Sequence, residues 1–336
     1  MFKHVMFFGA LLAVVLFFII GAATARSAEA APVVAVSVEP QRYALEKIAG
    51  DSLECVVFVP AGADPHTYEP KPSQVAVLAR ADIYLSIGLE FEKAWLARLA
   101  GVNSHLRVLP MNAGLEFSAR HDAGHDAGHD AGHDDVHDAG QADGHMAQAA
   151  AKHEHHADAD EHAEEAEHHH HHHGMDPHVW TAPAGMRVMA ANALNALLEL
   201  DPANAARYRA NCTAFLAEID ALDARIQGLF QDVSPERRTF LVFHPAWGHF
   251  AEAYGLTQLS IEVDGKEPGP AELAGIITEA REHGVRAVFI QPQMSKRTAL
   301  SVAGAVGAQV VEADPLAADW EANLLSVAES FRNAMK

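Results

Sequence analysis

Short apolar runs alternate with helix-like stretches in two parts of the chain, residues 32–113 and residues 239–312. An apolar run of strand length followed by an amphipathic stretch is typical of βαβ units, whose strands pair in parallel. The pattern therefore predicts two α/β lobes, each with a mainly parallel sheet flanked by helices. The predicted strands are residues 33–38, 53–59, 83–87, 106–109, 239–243, 258–262, 286–290 and 309–312.

Two long helical patterns lie between these parts, at residues 184–200 and 203–231. Asp201-Pro202 between them is a helix stop followed by a helix start. In the second pattern apolar residues recur every three or four positions, which defines one helix face. At 1.5 Å per residue, this helix would be roughly 40 Å long. We expect it to link the two lobes.

The predicted organisation has four segments. They are a signal peptide at residues 1–30, an N-terminal α/β lobe at 31–200, a linking helix at 203–231 and a C-terminal α/β lobe at 232–336.

The first thirty residues have the composition of a secretory signal peptide. Lys3 and His4 precede the apolar run at residues 5–20, and Ala28-Glu29-Ala30 is an A-x-A cleavage pattern. An uncleaved membrane anchor is the alternative, because the run is slightly long for a signal peptide and slightly short for a bilayer span. The first cysteine is Cys55, far from the cleavage point, so no lipid attachment is expected there. We expect an exported, periplasmic protein.

The chain is strongly acidic, with 45 Asp and Glu against 24 Lys and Arg and a formal net charge of −21. This balance disfavours nucleic acid as a partner, because phosphate backbones are bound by basic surfaces. The chain has two cysteines, Cys55 and Cys212. An oxidising compartment would allow one disulfide between them, but we favour two buried thiols.

Histidine is concentrated in one segment: 16 of the 23 histidines lie between His121 and His173. The surrounding residues 120–174 contain a His-Asp-Ala-Gly repeat and few large apolar residues, which predicts a disordered loop. Imidazoles and carboxylates bind Zn²⁺, and ordering a flexible tract around an ion costs entropy, so we expect several weak zinc sites. A plain solvating linker is the alternative.

Three histidines outside this loop have unusual local contexts. His66 and His178 each end an Asp-Pro-His tripeptide, and His244 follows the fifth predicted strand. Asp314 follows the last predicted strand in the same way. Open α/β sheets bind ligands at the carboxyl ends of their strands, so these four side chains are candidates for one site between the lobes. Three imidazoles and a carboxylate form a four-coordinate set suited to Zn²⁺.

These residues lie in segments that resemble the metal-binding subunits of bacterial ABC importers for zinc and manganese. The resemblance is strongest to the periplasmic zinc-binding proteins with a histidine-rich loop, and it covers nearly all of the mature chain. Its landmarks are Pro-Ala-Gly-Ala-Asp-Pro-His-Thr-Tyr-Glu-Pro at 60–70, Asp-Pro-His-Val-Trp at 176–180, His-Pro-Ala-Trp-Gly-His-Phe at 244–250, Gln-Pro-Gln at 291–293 and Glu-Ala-Asp-Pro-Leu at 312–316.

The resemblance implies two lobes bridged by one long rigid helix, with a metal site in the cleft between the lobes. His66, His178 and His244 match the three ligand positions of the family. Asp314 matches the fourth, where some zinc members use water or another carboxylate. A histidine at the third position, rather than a glutamate, favours zinc over manganese.

The resemblance also implies a function without catalysis: high-affinity capture of Zn(II) in the periplasm and delivery to the membrane permease of an ABC importer. One tight zinc ion is expected in the cleft, with additional weak sites in the histidine-rich loop. The protein is expected to be a monomer, and a periplasmic zinc accessory protein is a further candidate partner. Glu262 and Glu267 follow the third ligand and are backup candidates for a carboxylate ligand, although we favour the interpretation of both as solvated loop charges.

Three alternative functions fit parts of the sequence. A zinc hydrolase would also use three histidines, but the chain has no H-E-x-x-H, G-x-S-x-G or Walker A motif. A periplasmic zinc buffer or chaperone would use only the histidine-rich loop and would hold several ions weakly. An importer subunit for manganese or another divalent metal is the alternative within the same family.

Overall fold

A computed structural model describes residues 31–115 and 176–336, apart from residue 264. The predicted signal peptide, residues 1–30, and the predicted histidine-rich loop, residues 120–174, lie outside the described residues. Within the two described ranges, none of the helices combines the length and the hydropathy needed to cross a bilayer.

The described residues form two four-stranded sheets in which every strand pair is parallel. The first sheet has the order β2-β1-β3-β4, with β1 Val33–Val36, β2 Glu54–Val57, β3 Ile83–Ser86 and β4 Arg107–Pro110. The second has the order β6-β5-β7-β8, with β5 Thr239–Val242, β6 Thr257–Ser260, β7 Ala287–Ile290 and β8 Gln309–Glu312. All eight predicted strands are confirmed, and the two lobes have the same strand order.

Helices cover both sheets, so the central strands are largely buried, and β1 and β7 are buried throughout and contain only apolar residues. Proline occupies the first turn of several helices, where its missing N–H would have no helical partner. The helices of the described residues are α1 Glu39–Ala49, α2 Pro72–Leu78, α3 Glu90–Val102, α4 Pro183–Leu200, α5 Ala205–Phe230, α6 Gly248–Tyr254, α7 Pro270–Glu282, α8 Lys296–Val306 and α9 Trp320–Ala334.

The long helix α5 links the lobes: it packs against α1 of the first lobe and α9 of the second. Its 26 residues correspond to roughly 39 Å. The apolar stripe of this helix is its buried face, and at its C-terminal end Phe230 is buried while Leu229 is half-buried. Cys212 is buried on this face, whereas Cys55 is only half-buried because β2 is an edge strand; both are free thiols.

One apolar core extends through both lobes. It contains side chains of β1 and β3 in the first lobe, the buried faces of α4 and α5, and Phe240, Phe289 and Phe331 in the second lobe. A smaller core fills the space between the second sheet and the helices α7 and α8. Because the larger core is continuous, packing fixes α5 against both lobes.

Phe331 should contribute strongly to stability, because its ring centroid lies 4.2 Å from that of Phe240 and 4.6 Å from that of Phe289. Phe331→Ala should lower the free energy of unfolding by about 3–5 kcal/mol, since it removes a large buried ring and leaves a cavity. Leu300, which is 58% exposed, is the control, and Leu300→Ala should change this free energy by less than about 0.5 kcal/mol. Urea unfolding followed by circular dichroism measures both. Equal losses in the two variants would contradict the described core.

Candidate metal centre

His66 lies in the loop between β2 and α2, and its backbone is held by a local turn. Asp64 Oδ1 accepts a hydrogen bond from His66 N at 2.9 Å, while Thr67 Oγ1 donates to Asp64 Oδ2 at 2.9 Å. An aspartate that binds the backbone two residues later is an Asx turn. The first Asp-Pro-His tripeptide therefore forms a fixed turn that presents the imidazole.

His178 is presented by the same kind of turn, just before α4. Asp176 Oδ1 accepts a hydrogen bond from His178 N at 3.0 Å, so the repeated tripeptide forms the same Asx turn. Glycine is required at position 185, because a Cβ there would lie 1.9 Å from Val179 O. The first turn of α4 can thus approach the residues that follow His178, whose side chain is fully buried.

His244 lies two residues after β5, at the carboxyl edge of the second sheet. Its backbone oxygen accepts hydrogen bonds from Ala246 N at 2.8 Å and from Gln291 Nε2 at 3.2 Å. Gln291 directly follows β7, the neighbour of β5. Adjacent strands therefore end side by side and fix this buried histidine.

The three imidazoles converge on one point. Their ring centroids are 4.6 Å apart for His66 and His244, and 5.2 Å apart for the two pairs that include His178. One nitrogen from each ring lies within 4.8 Å of the others, and the Nε2 atoms of His66 and His178 are 3.2 Å apart. An ion bound tetrahedrally at about 2.0–2.1 Å would hold two nitrogens about 3.3 Å apart. The spacing fits a single zinc-sized ion.

The cavity beside these rings is small. Its volume is about 10 Å³, which is the space of roughly one water-sized particle. Besides the histidines it is lined by the turn at Asp64-Pro65, by Gln291, Gln293 and Met294, and by Pro315 and Leu316. A cavity of this size suits an ion rather than an organic ligand.

Each imidazole also binds a carboxylate through Nδ1. The pairs are His66 Nδ1 with Glu90 Oε2 at 2.9 Å, His178 Nδ1 with Asp176 Oδ1 at 2.6 Å, and His244 Nδ1 with Glu262 Oε2 at 2.6 Å. An ionised carboxylate only accepts hydrogen bonds, so a neutral ring in such a pair carries its proton on Nδ1. The lone pair is then on Nε2, as a metal ligand requires, and this arrangement is typical of histidine ligands.

The environment of the site favours a neutral His178 and charged carboxylates. Burial lowers the pKa of His178 to about 4, although Asp176 opposes the shift. Burial acts to raise the pKa of Glu90, but the hydrogen bond and charge of His66 outweigh it and lower that pKa to about 2. The pKa of Asp176 is likewise held below its usual value against burial, mainly by the charge and hydrogen bond of His178. At neutral pH a cation would therefore meet the neutral ring of His178 and the negative charges of Glu90 and Asp176.

The structure does not bring the fourth predicted ligand into the same group. The carboxylate of Asp314 lies outside the set of mutually close donor atoms. Its Oδ1 accepts hydrogen bonds from Leu316 N at 2.9 Å and from Gln293 Nε2 at 3.4 Å. Ligation by Asp314 therefore stays a prediction.

The interpretation of Glu262 as a solvated loop charge is wrong. Its backbone N donates to Phe243 O at 2.9 Å, which places the side chain beside His244, and the carboxylate is largely buried against the imidazole. Glu267 is exposed, as expected, and accepts a hydrogen bond from Thr298 Oγ1.

Two further residues of the site were not found from the sequence. Glu90 is the first residue of α3 and is 24 positions from its partner His66. Gln291 belongs to the Gln-Pro-Gln landmark, but no signal there indicates contact with His244. The sequence drew attention to Asp176 only as part of the Asp-Pro-His tripeptide and did not predict its contact with Nδ1 of His178.

Residues 34–335 match the profile of the family described as zinc-uptake complex component A, periplasmic. The chain belongs to this family. It is 25% identical over 268 residues to the high-affinity zinc uptake system protein ZnuA of Bacillus subtilis, a match that covers 79% of this chain and 72% of the relative. It is also 25% identical over 268 residues to the manganese-binding lipoprotein MntA of Halalkalibacterium halodurans, covering 79% and 73%.

Solved structures agree with this assignment. A crystal structure of ZnuA has a TM-score of 0.73 and 34% identity, and the match covers 91% of this chain and all of that one. A ZnuA deletion mutant with zinc bound has a TM-score of 0.72 and 34% identity, with coverage of 90% and 98%. Both support two parallel α/β lobes linked by a long helix.

The chain is thus a metal-binding component of periplasmic ABC metal uptake, a transport protein rather than an enzyme. Subunits of this family work with a membrane permease and an ATPase. Its relatives include zinc binders and manganese binders, so family membership alone leaves the metal open.

The Glu262 carboxylate, which binds Nδ1 of His244, should strengthen metal binding. We expect Glu262→Ala to lower zinc affinity by about 10–100-fold, because the imidazole loses the partner that fixes its orientation and tautomer. Glu262→Gln keeps an acceptor for Nδ1 and should lose less. Glu267→Ala is the matched control on the same loop. Chelator competition measures the affinities, and equal values for Glu262→Ala and Glu267→Ala would contradict the role of the pair.

Trp180 should report metal binding by its fluorescence. Its ring centroid lies 5.4 Å from that of His178, whereas Trp247, three residues after His244, packs in the core against Phe250 and Phe331. Stoichiometric zinc should change the emission of the protein, and Trp180→Phe should remove most of that change. Trp247→Phe should preserve it. A zinc response that depends on Trp247 instead would contradict the described geometry.

Proposed function

We propose that this protein captures one Zn²⁺ ion with high affinity in the periplasm and delivers it to the membrane permease of an ABC importer for zinc uptake. His66, His178 and His244 are the proposed ligands. The observation that carries the proposal is the convergence of three imidazoles, each bound through Nδ1 to a carboxylate.

The chemistry of these donors favours zinc over manganese. Imidazole nitrogen suits Zn²⁺, whereas Mn²⁺ is better served by carboxylate, carbonyl and water oxygens. The proposed set has three nitrogens, and the carboxylates around it face Nδ1 rather than the cavity centre.

Delivery requires release, and the placement of the ligands provides a route. His66 follows a strand of the first lobe and His244 follows a strand of the second. A small displacement of one lobe against the other would separate their Nε2 atoms and weaken the site. Binding of the permease would favour the displaced arrangement if the permease has a higher affinity for the displaced lobes than for the metal-bound arrangement.

The remaining parts of the proposal rest on composition. Residues 120–174 would add weak zinc sites, which a periplasmic accessory protein would be able to use. The chain would be exported with cleavage near Ala30 and would act as a monomer. A zinc buffer is the second candidate, because the histidine-rich segment alone would also bind zinc.

Zinc titration in the presence of competing manganese tests the proposal, in the mature chain and in a variant lacking residues 120–174. Both should hold one tight zinc ion that manganese does not displace. His178→Ala should lower the affinity of this ion by more than about a hundred-fold, beyond the usual effect of losing a partner outside the ligand set. His283→Ala, at an exposed histidine, is the control.

Two results would overturn the proposal that this protein is a zinc-binding importer subunit. Loss of tight zinc in the variant lacking residues 120–174 would make the loop the functional site and favour the buffer. Displacement of zinc by manganese would make the protein a manganese-binding subunit.

A further inference from the structure

The buried side-chain atoms of the described residues that lack a hydrogen-bond partner are Glu39 Oε2, His244 Nε2 and Gln291 Oε1. Glu39 Oε2 lies 2.6 Å from Arg42 and forms an ion pair, so its charge is compensated. The other two atoms belong to residues that line the metal cavity. Buried polar atoms are nearly always paired, and exceptions mark a functional role.

The orientation of the Gln291 amide follows from its neighbour. Gln291 Nε2 lies 3.2 Å from His244 O, and a carbonyl oxygen can only accept a hydrogen bond. The amide nitrogen must therefore face His244 O, and exchanging the two amide atoms would set two acceptors against each other. Gln291 Oε1 is left as an acceptor, buried and without a donor among the described residues.

The residues that line the cavity carry two kinds of acceptor with different needs. The Nε2 lone pairs of the histidines are satisfied by a cation. A carboxamide oxygen is satisfied by an O–H or N–H donor, and a water on a zinc ion is a strong donor because the cation polarises it. One hydrated ion would satisfy both kinds of atom together.

Asp314 is the competing candidate for the fourth position, and its oxygen is already engaged. Asp314 Oδ1 accepts from Leu316 N and from Gln293 Nε2, and the carboxylate lies outside the group of close donors. Gln291, in contrast, directly follows β7 beside the strand that carries His244. The same pair of strands thus positions one proposed ligand and one unpaired acceptor.

We propose that Gln291 is a positioning residue whose Oε1 accepts a hydrogen bond from a water that completes the tetrahedral coordination of Zn²⁺. This inference rests on the proposed function, since it requires zinc bound by the three histidines. It makes all four ligands neutral, which suits Zn²⁺ better than Mn²⁺. It also assigns a role to the first glutamine of the Gln-Pro-Gln landmark.

Two substitutions separate this role from simple support of the fold. Gln291→Met removes both the acceptor and the donor to His244 O at similar side-chain length. Gln291→Glu keeps an acceptor but loses that donor. Zinc affinity, measured by chelator competition, should fall about 10–100-fold in Gln291→Met. It should fall less in Gln291→Glu, which keeps the acceptor for the water but sets a carboxylate oxygen against His244 O.

A buried glutamine that does not line the metal cavity serves as the control. Gln41 is fully paired, with Oε1 accepting from Ser37 N and Val38 N and Nε2 donating to Leu85 O. Gln41→Met should lower the unfolding temperature of the metal-free protein without a comparable loss of zinc affinity. The visible absorption of bound Co²⁺, which depends on the number and geometry of its ligands, should change in Gln291→Met and not in Gln41→Met.

The outcomes distinguish the inference from the function on which it rests. If the wild-type chain fails to hold one zinc through its histidines, the proposed function itself fails. If the wild type binds zinc and Gln291→Met matches it in affinity and cobalt spectrum, only the role of Gln291 fails. Equal losses in Gln291→Met and Gln291→Glu would show a purely structural role. A larger loss in Asp314→Asn than in Gln291→Met would make Asp314 the fourth ligand and also overturn the inference.

Discussion

The arrangement of the site depends on one constraint: a buried imidazole needs a partner for each of its two nitrogens. Here a carboxylate takes the Nδ1 side of all three rings, so three Nε2 lone pairs face the same small space. Lone pairs at this distance repel one another unless a positive charge lies between them. The negative carboxylates behind the rings add to the attraction for a cation. The arrangement of the three rings is therefore stabilised by a metal ion between them.

The fold holds these rings in place through the ends of its parallel strands. Parallel pairing brings the carboxyl ends of neighbouring strands to one edge, where His244, Glu262 and Gln291 meet after β5, β6 and β7. The continuous core and the helix α5 join this edge to the first lobe, which supplies His66 and Glu90. The relative position of the two lobes therefore sets the distance between the histidines that they supply.

Much of this fold could be predicted from local sequence. Fully buried parallel strands contain uninterrupted apolar residues, and α5 has an apolar stripe, so both were visible as patterns. The three histidines could be nominated because turns and strand ends precede them. Their carboxylate partners could not, since the pairing of His66 with Glu90 depends on where α3 begins in three dimensions. Glu262 was misjudged for the same reason: loop position in the sequence does not reveal burial against a ring from a neighbouring strand.

The central claim is that one zinc ion sits between the Nε2 atoms of three carboxylate-bound histidines. A crystal structure of the zinc-loaded mature protein, with the ion located by anomalous scattering at the zinc edge, tests it most directly. The account predicts a single strong peak about 2.0–2.1 Å from Nε2 of His66, His178 and His244. A strong peak elsewhere, or an ion bound through Nδ1 of any of these rings, would contradict it.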